Sequence, residues 1–204
     1  NAFLQKNNIK ANQQQFDAMV SFSYNVGAGY WNGTSTFDLR TVMLNAVVPP
    51  TIAAGSSLPA KTTASAFLYT EKDRDSTKLK EVASGTALSV TEATYDSQTR
   101  SSWYKVQLSD GSTGWMSGGN IAFDNADSMV RDLNYADAGE IGYRFLEWHQ
   151  AGGRCLPGLV YRRLGEAKVF SFGDYASADP SSSNYRVNLY DFVYPSCVQQ
   201  YEVN

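Results

Sequence analysis

Acidic side chains are the groups in this sequence that are best suited to transfer protons in catalysis. Those in segments of helical spacing are Asp17, Asp38, Glu140, Glu147 and Glu166. Glu166 follows Arg162 and Arg163 by about one helical turn, which places a side-chain ion pair within reach. Because adjacent positive charge favours an ionised carboxylate, we predict that Glu166 stays ionised as a structural ion-pair partner. We interpret Asp17 as a helix-surface or structural residue.

The single histidine, His149, and the two cysteines, Cys155 and Cys197, are the other reactive groups. His149 flanks an apolar helical face without a nucleophile pattern, which favours a structural histidine. Cys155 lies in a Gly-rich turn, which favours a disulfide or an inert thiol. Two cysteines form no zinc pattern, and we expect neither a metal nor a cofactor. We predict a Cys155–Cys197 bond that tethers the C-terminal tail.

The residues from Trp148 to Phe170 must position several of these groups. The glycines of Ala151–Gly153 tolerate a positive φ, and they predict the end of a helix. Pro157 suits the first turn of the next helix. One face of that helix is predicted to hold Val160, Leu164, Ala167 and Phe170. Arg162 is expected to point away from this face and Arg163 to lie on its flank.

Two helices are predicted near the N-terminus. Asn12 and Gln15 have the spacing of a capping box, and the helix they begin should end near Gly27 or Gly29. Its predicted apolar face consists of Phe16, Met19, Val20 and Tyr24. Ser35 and Asp38 form a second capping box, which predicts a helix that extends to about Leu44.

A strand-rich segment, from about residue 61 to 123, follows a Pro- and Gly-rich linker. Apolar and polar residues alternate around Leu88 and Val90, and again from Tyr104 to Leu108. Asp110-Gly111 is typical of a hairpin turn. Helical spacing returns after Asn125. We therefore expect a small β domain between two helical segments.

Two sequence words carry a resemblance to a known family. Asn12 to Gly27 reads NQQQFDAMVSFSYNVG, and Trp148 to Phe170 contains Gly-Gly, Pro-Gly-Leu-Val, Arg-Arg and a following Glu. Both words resemble phage-type lysozymes of glycoside hydrolase family 24, which hydrolyse the glycan of peptidoglycan. The strand-rich words Trp103-Tyr104-Lys105-Val106 and Asp110-Gly111-x-x-Gly114-Trp115 resemble bacterial SH3 domains.

The resemblances imply an α+β protein, in which a small all-β SH3-like barrel interrupts a helical lysozyme-like lobe. The expected boundaries are 1–50 for the first part of the lobe, 51–125 for the barrel, and 126–204 for the second part with its tail. The barrel is expected to fold as an insertion, because the lysozyme-like words lie on both sides of it.

Glycoside cleavage by this family needs a carboxylic acid that protonates the leaving oxygen. The family carries that acid in a Glu-Gly-x-x-Leu motif, and no such motif occurs in these 204 residues. The resemblance therefore implies that no catalytic residue lies in this chain and that the catalytic Glu is expected upstream of Asn1. The lobe that carries it could be a separate fragment that acts as a partner.

The resemblance assigns a substrate-facing wall to Tyr24, Asn25 and Arg162. Asn25 could contact sugar or cap its helix, and both interpretations stay open. Arg162 could bind peptide-stem carboxylates, although a paired surface arginine is the more common case. In the barrel, Trp103, Tyr104 and Trp115 could stack on the cell wall, but Tyr104 and Trp115 also suit a core.

The composition narrows the function classes. A net charge of −3 gives no general attraction to nucleic acid or to an anionic wall. No apolar run is long enough to span a membrane. We expect an extracellular or cell-wall-associated peptidoglycan hydrolase of the lysozyme type, and the alternative is a peptidoglycan-binding module that does not cleave.

Overall fold

The computed structural model describes residues 2–33 and 38–184. The helices are α1 (Ala2–Lys6), α2 (Gln13–Val26), α3 (Leu39–Leu44), α4 (Ala138–Leu146) and α5 (Pro157–Phe172). The strands are β1 (Ile9–Lys10), β2 (Leu58–Thr62), β3 (Ala66–Tyr69), β4 (Lys78–Val82), β5 (Ala87–Asp96), β6 (Ser101–Leu108), β7 (Thr113–Ser117), β8 (Ile121–Phe123), β9 (Arg131–Asp132), β10 (Gln150–Ala151) and β11 (Arg154–Cys155). This content confirms the α+β class. In the part of the chain that the structure describes, no helix has the length and hydropathy needed to cross a bilayer.

The chain divides into two compact units. The sheet unit comprises the described residues within Asn1–Lys10 and Arg40–Asp137. The helical unit comprises those within Ala11–Leu39 and Ala138–Asn204. In sequence, strands β2 to β8 therefore fall between α2 and α4 of the helical unit. The predicted domain boundaries near residues 50 and 125 stay predictions.

The sheet unit contains a seven-stranded antiparallel sheet in the order β4-β3-β7-β6-β5-β2-β8. The predicted turn at Asp110-Gly111 joins β6 to β7, with the Leu108 amide donating to the Ser112 carbonyl at 2.9 Å. Gly111 has a φ of 83°, which a residue without Cβ adopts at no steric cost. The turn chemistry that the sequence predicted is confirmed.

The core of the sheet unit follows the predicted alternation in β5 and β6. Its buried side chains are Val47, Ala60, Ala66, Leu68, Val82, Leu88, Val90, Tyr104, Val106, Leu108, Met116, Ile121 and Phe123. In the same unit, β1 and β9 form a short parallel pair. Arg131 in β9 donates from Nε to the Leu44 carbonyl at 3.0 Å, which closes the end of α3. That end agrees with the predicted one, while Ser35 lies outside the described residues.

In the helical unit, α2 begins as predicted. The backbone N–H of Gln15 donates to Asn12 Oδ1 at 2.9 Å, and the backbone N–H of Asn12 donates to Gln15 Oε1 at 2.8 Å. Gly27 caps the C-terminal end of α2. The predicted apolar face was wrong at two positions, since Val20 is 52% exposed and Tyr24 is 90% exposed.

The buried face of α2 instead contains Gln15, Ala18, Met19 and Phe22. Phe22 makes edge-to-face ring contacts with Tyr30, Trp31, Phe145 and Trp148. These aromatic neighbours, of which Phe145 and Trp148 are distant along the chain, decide which side of α2 is covered. They therefore rotate the buried stripe away from Val20 and Tyr24.

The predicted helix end at Ala151–Gly153 was wrong. Helix α4 already ends at Leu146, and Gln150–Ala151 pairs with Arg154–Cys155 in a short hairpin. Gly152 and Gly153 have φ values of 57° and 73°. Two consecutive residues with positive φ are what a tight two-residue hairpin loop requires, so the glycine pair reverses a strand.

Helix α5 has the predicted buried stripe, and Pro157 lies in its first turn. Arg163 is not on the flank, since its relative exposure is 1%. Gly173 ends α5 in the left-handed conformation, with a φ of 65°. The predicted tail from Asn184 to Val198 extends outside the described residues.

Candidate functional site

The predicted substrate wall lies on α2 and α5 of the helical unit. Arg162 donates from Nη1 to Asn25 Oδ1, although the two residues are 137 positions apart. Asn25 in turn donates from Nδ2 to the Ser21 carbonyl at 3.0 Å. Asn25 thus lies before the cap of α2, which is Gly27. The structure brings Asn25 and Arg162 together, and Tyr24, which precedes Asn25 in the sequence, has an exposed ring.

A cavity of about 470 Å³ opens along the same two helices. Its polar lining includes Asp17, Ser21, Tyr161, Arg162, Glu166 and Tyr175. The size falls within the usual range of about 300–1,000 Å³ for small-molecule sites. Arg162 belongs to both features, so the predicted wall and the cavity are continuous.

Glu166 differs from its prediction in one important respect. It does pair with Arg163, at 3.0 Å from Nη2 to Oε1, and Ser21 donates to the same oxygen at 2.7 Å. Burial nevertheless raises the pKa of the Glu166 carboxyl to about 7, against the opposing effects of Arg163, Ser21 and Arg162. The guanidinium charges of Arg163 and Arg162 do favour the ionised form, as predicted, but burial opposes them and is the larger effect.

The other oxygen of Glu166 has no hydrogen-bond partner among the described residues. Oε2 is buried, and no hydrogen bond reaches it from the residues described here. Buried carboxylate oxygens normally accept hydrogen bonds, so an unsatisfied acceptor at this position needs an explanation. Glu166 also lines the cavity.

Arg163 is held in place from the other side by an aromatic ring. Its guanidinium carbon lies 5.0 Å from the centroid of Phe22, a cation–π contact. Burial is also the main cause that lowers the pKa of Arg163. Arg163 and Glu166 therefore form an ion pair against α2. The sequence predicted the pairing but not that both side chains are buried.

Asp17 and Tyr175 also line the cavity. Tyr175 donates from its hydroxyl to Asp17 Oδ2 at 2.7 Å, and Gln13 donates to Oδ1 at 2.7 Å. These hydrogen bonds, with that of Tyr175 the larger cause, lower the pKa of Asp17. The loop that carries Tyr175 is fastened by a buried ion pair of Lys168 and Asp174, with 3.3 Å from Nζ to Oδ2.

His149 and Cys155 lie apart from the cavity lining. His149 is buried, and its Nδ1 is hydrogen-bonded to the Leu146 carbonyl. Cys155 is half-buried in β11. Its predicted partner, Cys197, lies outside the described residues, and the disulfide stays a prediction.

In the sheet unit, the three aromatic candidates differ in exposure. Trp103 and Tyr104 are buried, and burial raises the pKa of the Tyr104 hydroxyl. Trp115 is half-buried, with Lys72 Nζ 5.2 Å and Lys105 Nζ 6.0 Å from its ring centroid. Of the three, Trp115 therefore has the most ring surface open to a ligand.

Sequence reasoning missed the cavity and most of its lining, including Ser21, Gly165 and Tyr175. Ser21 stands four residues after Asp17, on the side of α2 that faces α5. That spacing was visible in the sequence. The contact of Ser21 with Glu166 was not, because the two residues are 145 positions apart.

Comparison with known families supports the sequence interpretation. Residues 1–46 match the phage lysozyme family, and residues 64–122 match the bacterial SH3 domain family. The predicted combination of a phage lysozyme lobe with an SH3 domain is thereby confirmed. Searches of curated proteins and of solved structures found no match. The two family matches indicate a peptidoglycan-related hydrolase or binding function and a protein that acts on the cell wall.

Proposed function

We propose that this protein is a peptidoglycan hydrolase of the lysozyme type, in which residues 1–204 provide a glycan-binding surface. The observation that supports the proposal is the contact between Arg162 and Asn25. Each of these residues stands in one of the two lysozyme-like words of the sequence. Their contact brings the two lysozyme-like segments together in one surface, and Tyr24 offers an exposed aromatic ring beside Asn25 in the sequence.

The chemistry of this surface suits a glycan that carries acidic peptides. The amide of Asn25 can exchange hydrogen bonds with sugar hydroxyls and N-acetyl groups. The guanidinium of Arg162 can pair with a carboxylate through two parallel hydrogen bonds. The ring of Tyr24 can pack on the apolar face of a sugar.

We propose that the surface binds without cleaving. The family's Glu-Gly-x-x-Leu motif, which carries the catalytic acid, is absent from these residues. Positioning of the substrate alone supplies no proton to the bridging oxygen. General acid catalysis contributes about 10²- to 10⁴-fold to a rate. Residues 1–204 should therefore bind purified cell walls and release few new reducing ends.

A second candidate is cleavage by this chain itself, and Glu166 is the observation that favours it. A glutamate with its pKa raised to about 7 can hold a proton near neutral pH, as a glycosidase acid must. Against this role, its Oε1 already accepts hydrogen bonds from Arg163 and Ser21.

The two candidates separate in one experiment. The ¹⁵N-labelled protein is titrated with the disaccharide N-acetylglucosaminyl-N-acetylmuramic acid, and reducing ends are then measured on purified walls. Binding is expected to shift the amides of Tyr24, Asn25 and Arg162, with no reducing ends above background. Reducing-end release that is abolished by Glu166→Gln would establish the second candidate. A titration that leaves these three amides unmoved would refute the proposed surface.

A further inference from the structure

Three aromatic side chains lie side by side on the face of the seven-stranded sheet that is turned away from its core. In β3, Ala66 and Leu68 are buried, so the alternation of a strand turns Phe67 and Tyr69 to the other face. Trp115 in β7 lies opposite Tyr69 in the strand pairing. The Phe67 and Tyr69 rings are in edge-to-face contact, with 6.4 Å between their centroids. We call these three half-buried residues the aromatic row.

Lysine ammonium groups lie at both ends of the aromatic row. Lys78 Nζ is 4.6 Å from the ring centroid of Phe67, and Lys72 Nζ is 5.2 Å from that of Trp115. Both lysines are exposed. A cation–π contact positions an ammonium group without neutralising it. The aromatic row therefore has a positive charge near each end.

Neither of these charges is balanced by a carboxylate. Lys72 and Lys78 form no ion pair with any residue that the structure describes, including the two acidic residues that flank Lys72 in the sequence. Lys105, whose Nζ lies 6.0 Å from the Trp115 centroid, differs because it pairs with Glu92 at 2.7 Å. Two unpaired ammonium groups on one face attract an anionic ligand.

The placement of the two charges selects a class of anion. Lys72 and Lys78 lie on different rings, with Tyr69 between those rings, which suits two anionic groups joined by a short uncharged segment. An ammonium group is a point charge that commonly binds phosphate. Nucleic acid is disfavoured, because strands of it bind to strongly basic grooves with open stacking rings, whereas this chain has a net charge of −3.

We propose that the aromatic row binds a phosphate-linked polymer of polyols or sugars. One phosphate pairs with Lys72 and the next with Lys78, and the uncharged segment between them packs along Tyr69. The proposal rests on the proposed role at the cell wall for the source of this polymer. It adds a wall ligand other than peptidoglycan, and it uses none of the residues of the proposed glycan-binding surface.

The first test is a titration of the ¹⁵N-labelled protein with a synthetic tetramer of glycerol phosphate, and the matched neutral probe is tetraglycerol. Saturable shifts of the Trp115 indole N–H and of the Phe67 and Tyr69 amides are expected with the first probe and not with the second. These shifts should weaken as salt is added, because exposed charges are screened. Equal shifts with both probes, or none with either, would overturn the proposal.

Lysine variants locate the binding on the aromatic row. Lys72→Gln and Lys78→Gln should each weaken binding of the glycerol phosphate tetramer about two- to fivefold, the usual range for one exposed charge pair. Lys72→Arg keeps the charge and should bind like the unaltered protein. Lys61→Gln is the control, since Lys61 is an exposed lysine of β2 in the same unit. If Lys72→Gln and Lys78→Gln bind as tightly as this control, the aromatic row is not the site.

Two further comparisons identify the polymer. Pentathymidylate, which carries repeated phosphates with bases, should bind more weakly than the glycerol phosphate tetramer, and equal or tighter binding would contradict the proposal. Lys72→Gln should lose affinity for purified walls but not for walls treated with hydrofluoric acid, which cleaves phosphodiesters. A loss that persists on treated walls would show that the row holds peptidoglycan instead. Variants of Arg162 are tested on treated walls, so the two proposals fail separately.

Discussion

Arg163 and Glu166 form an ion pair inside the helical unit, with 3.0 Å between Nη2 and Oε1 and side-chain exposures of 1% and 4%. One helical turn on α5 brings the two groups together, and α2 covers them with Phe22 and Ser21. Burial outweighs the positive charge of the arginine, so the pKa of Glu166 is raised to about 7. Loss of water around Glu166 therefore raises its pKa by more than the attraction of Arg163 lowers it.

This raised pKa predicts a pH-dependent stability. Between its ordinary value of 4.5 and about 7, the folded protein binds more protons at Glu166 than the unfolded chain does. The contribution of Glu166 to the free energy of unfolding is then fully present below pH 4.5 and is lost as the pH rises through about 7, by roughly 3 kcal/mol in total.

Glu166→Gln should remove this part of the pH dependence. Denaturant unfolding measured from about pH 4.5 to 8 is expected to give a smaller decline for the variant than for the unaltered protein. Glu147→Gln is the control, since Glu147 is exposed and pairs with Arg144. Parallel pH curves for Glu166→Gln and the unaltered protein would show that Glu166 does not titrate in this range.

Gly165, inside α5, and Gly173, which caps the C-terminal end of α5, should respond in opposite directions to alanine. Gly165→Ala adds a Cβ that meets nothing within 4 Å and should stabilise the protein by about 0.5–1 kcal/mol through helix propensity. Gly173→Ala should destabilise it by about 1–2 kcal/mol, because Gly173 has a φ of 65°. Chemical denaturation of both variants checks the signs. A loss of stability in Gly165→Ala would mean that the space beside α5 is filled in solution.

The buried Lys168–Asp174 pair is expected to stabilise the loop that carries Tyr175. Lys168→Met removes the cation that faces Asp174 and should cost about 3–5 kcal/mol. Adding Asp174→Asn should restore part of the loss, since the buried negative charge is then removed as well. A thermal-melting comparison of the single and double variants measures this coupling. Equal melting temperatures for Lys168→Met and the unaltered protein would contradict the role of the pair.

In the sheet unit, Gly118 is predicted to be intolerant of any side chain. A Cβ there would lie 2.6 Å from Ser102 Cβ and 2.8 Å from Tyr104 Cε2, both in the interior. Gly118→Ala should lower the free energy of unfolding by about 1–3 kcal/mol through overpacking. Gly29→Ala is the matched control, because its Cβ would meet nothing within 4 Å. The prediction fails if the two variants unfold at the same denaturant concentration.

Local chemistry explains which parts of the fold could be predicted from the sequence. The capping box of Asn12 and Gln15, and the turn at Asp110-Gly111, depend on neighbouring residues only. The stripe on α5 follows from helical spacing. The two family resemblances likewise depend on short words, and both family matches confirm them.

The remaining features depend on packing between distant segments. The same Gly-Gly pair can end a helix or reverse a hairpin, and only the pairing of β10 with β11 decides between them. Val20 and Tyr24 follow Phe16 at intervals of four residues, which is helical spacing, yet the aromatic partners of Phe22 leave both of them exposed. The depth of Arg163 and Glu166 likewise requires α2 to lie over α5.

The most direct test of the proposed glycan-binding surface is co-sedimentation of residues 1–204 with purified peptidoglycan, comparing Arg162→Ala with Arg154→Ala. Both variants remove an exposed arginine of the helical unit, and only Arg162 contacts Asn25. The unaltered protein and Arg154→Ala should sediment alike, while Arg162→Ala should bind about tenfold more weakly, a change of roughly 1.4 kcal/mol. If the unaltered protein stays in solution, or if both variants bind equally, the surface formed by Tyr24, Asn25 and Arg162 is not where this protein holds the cell wall.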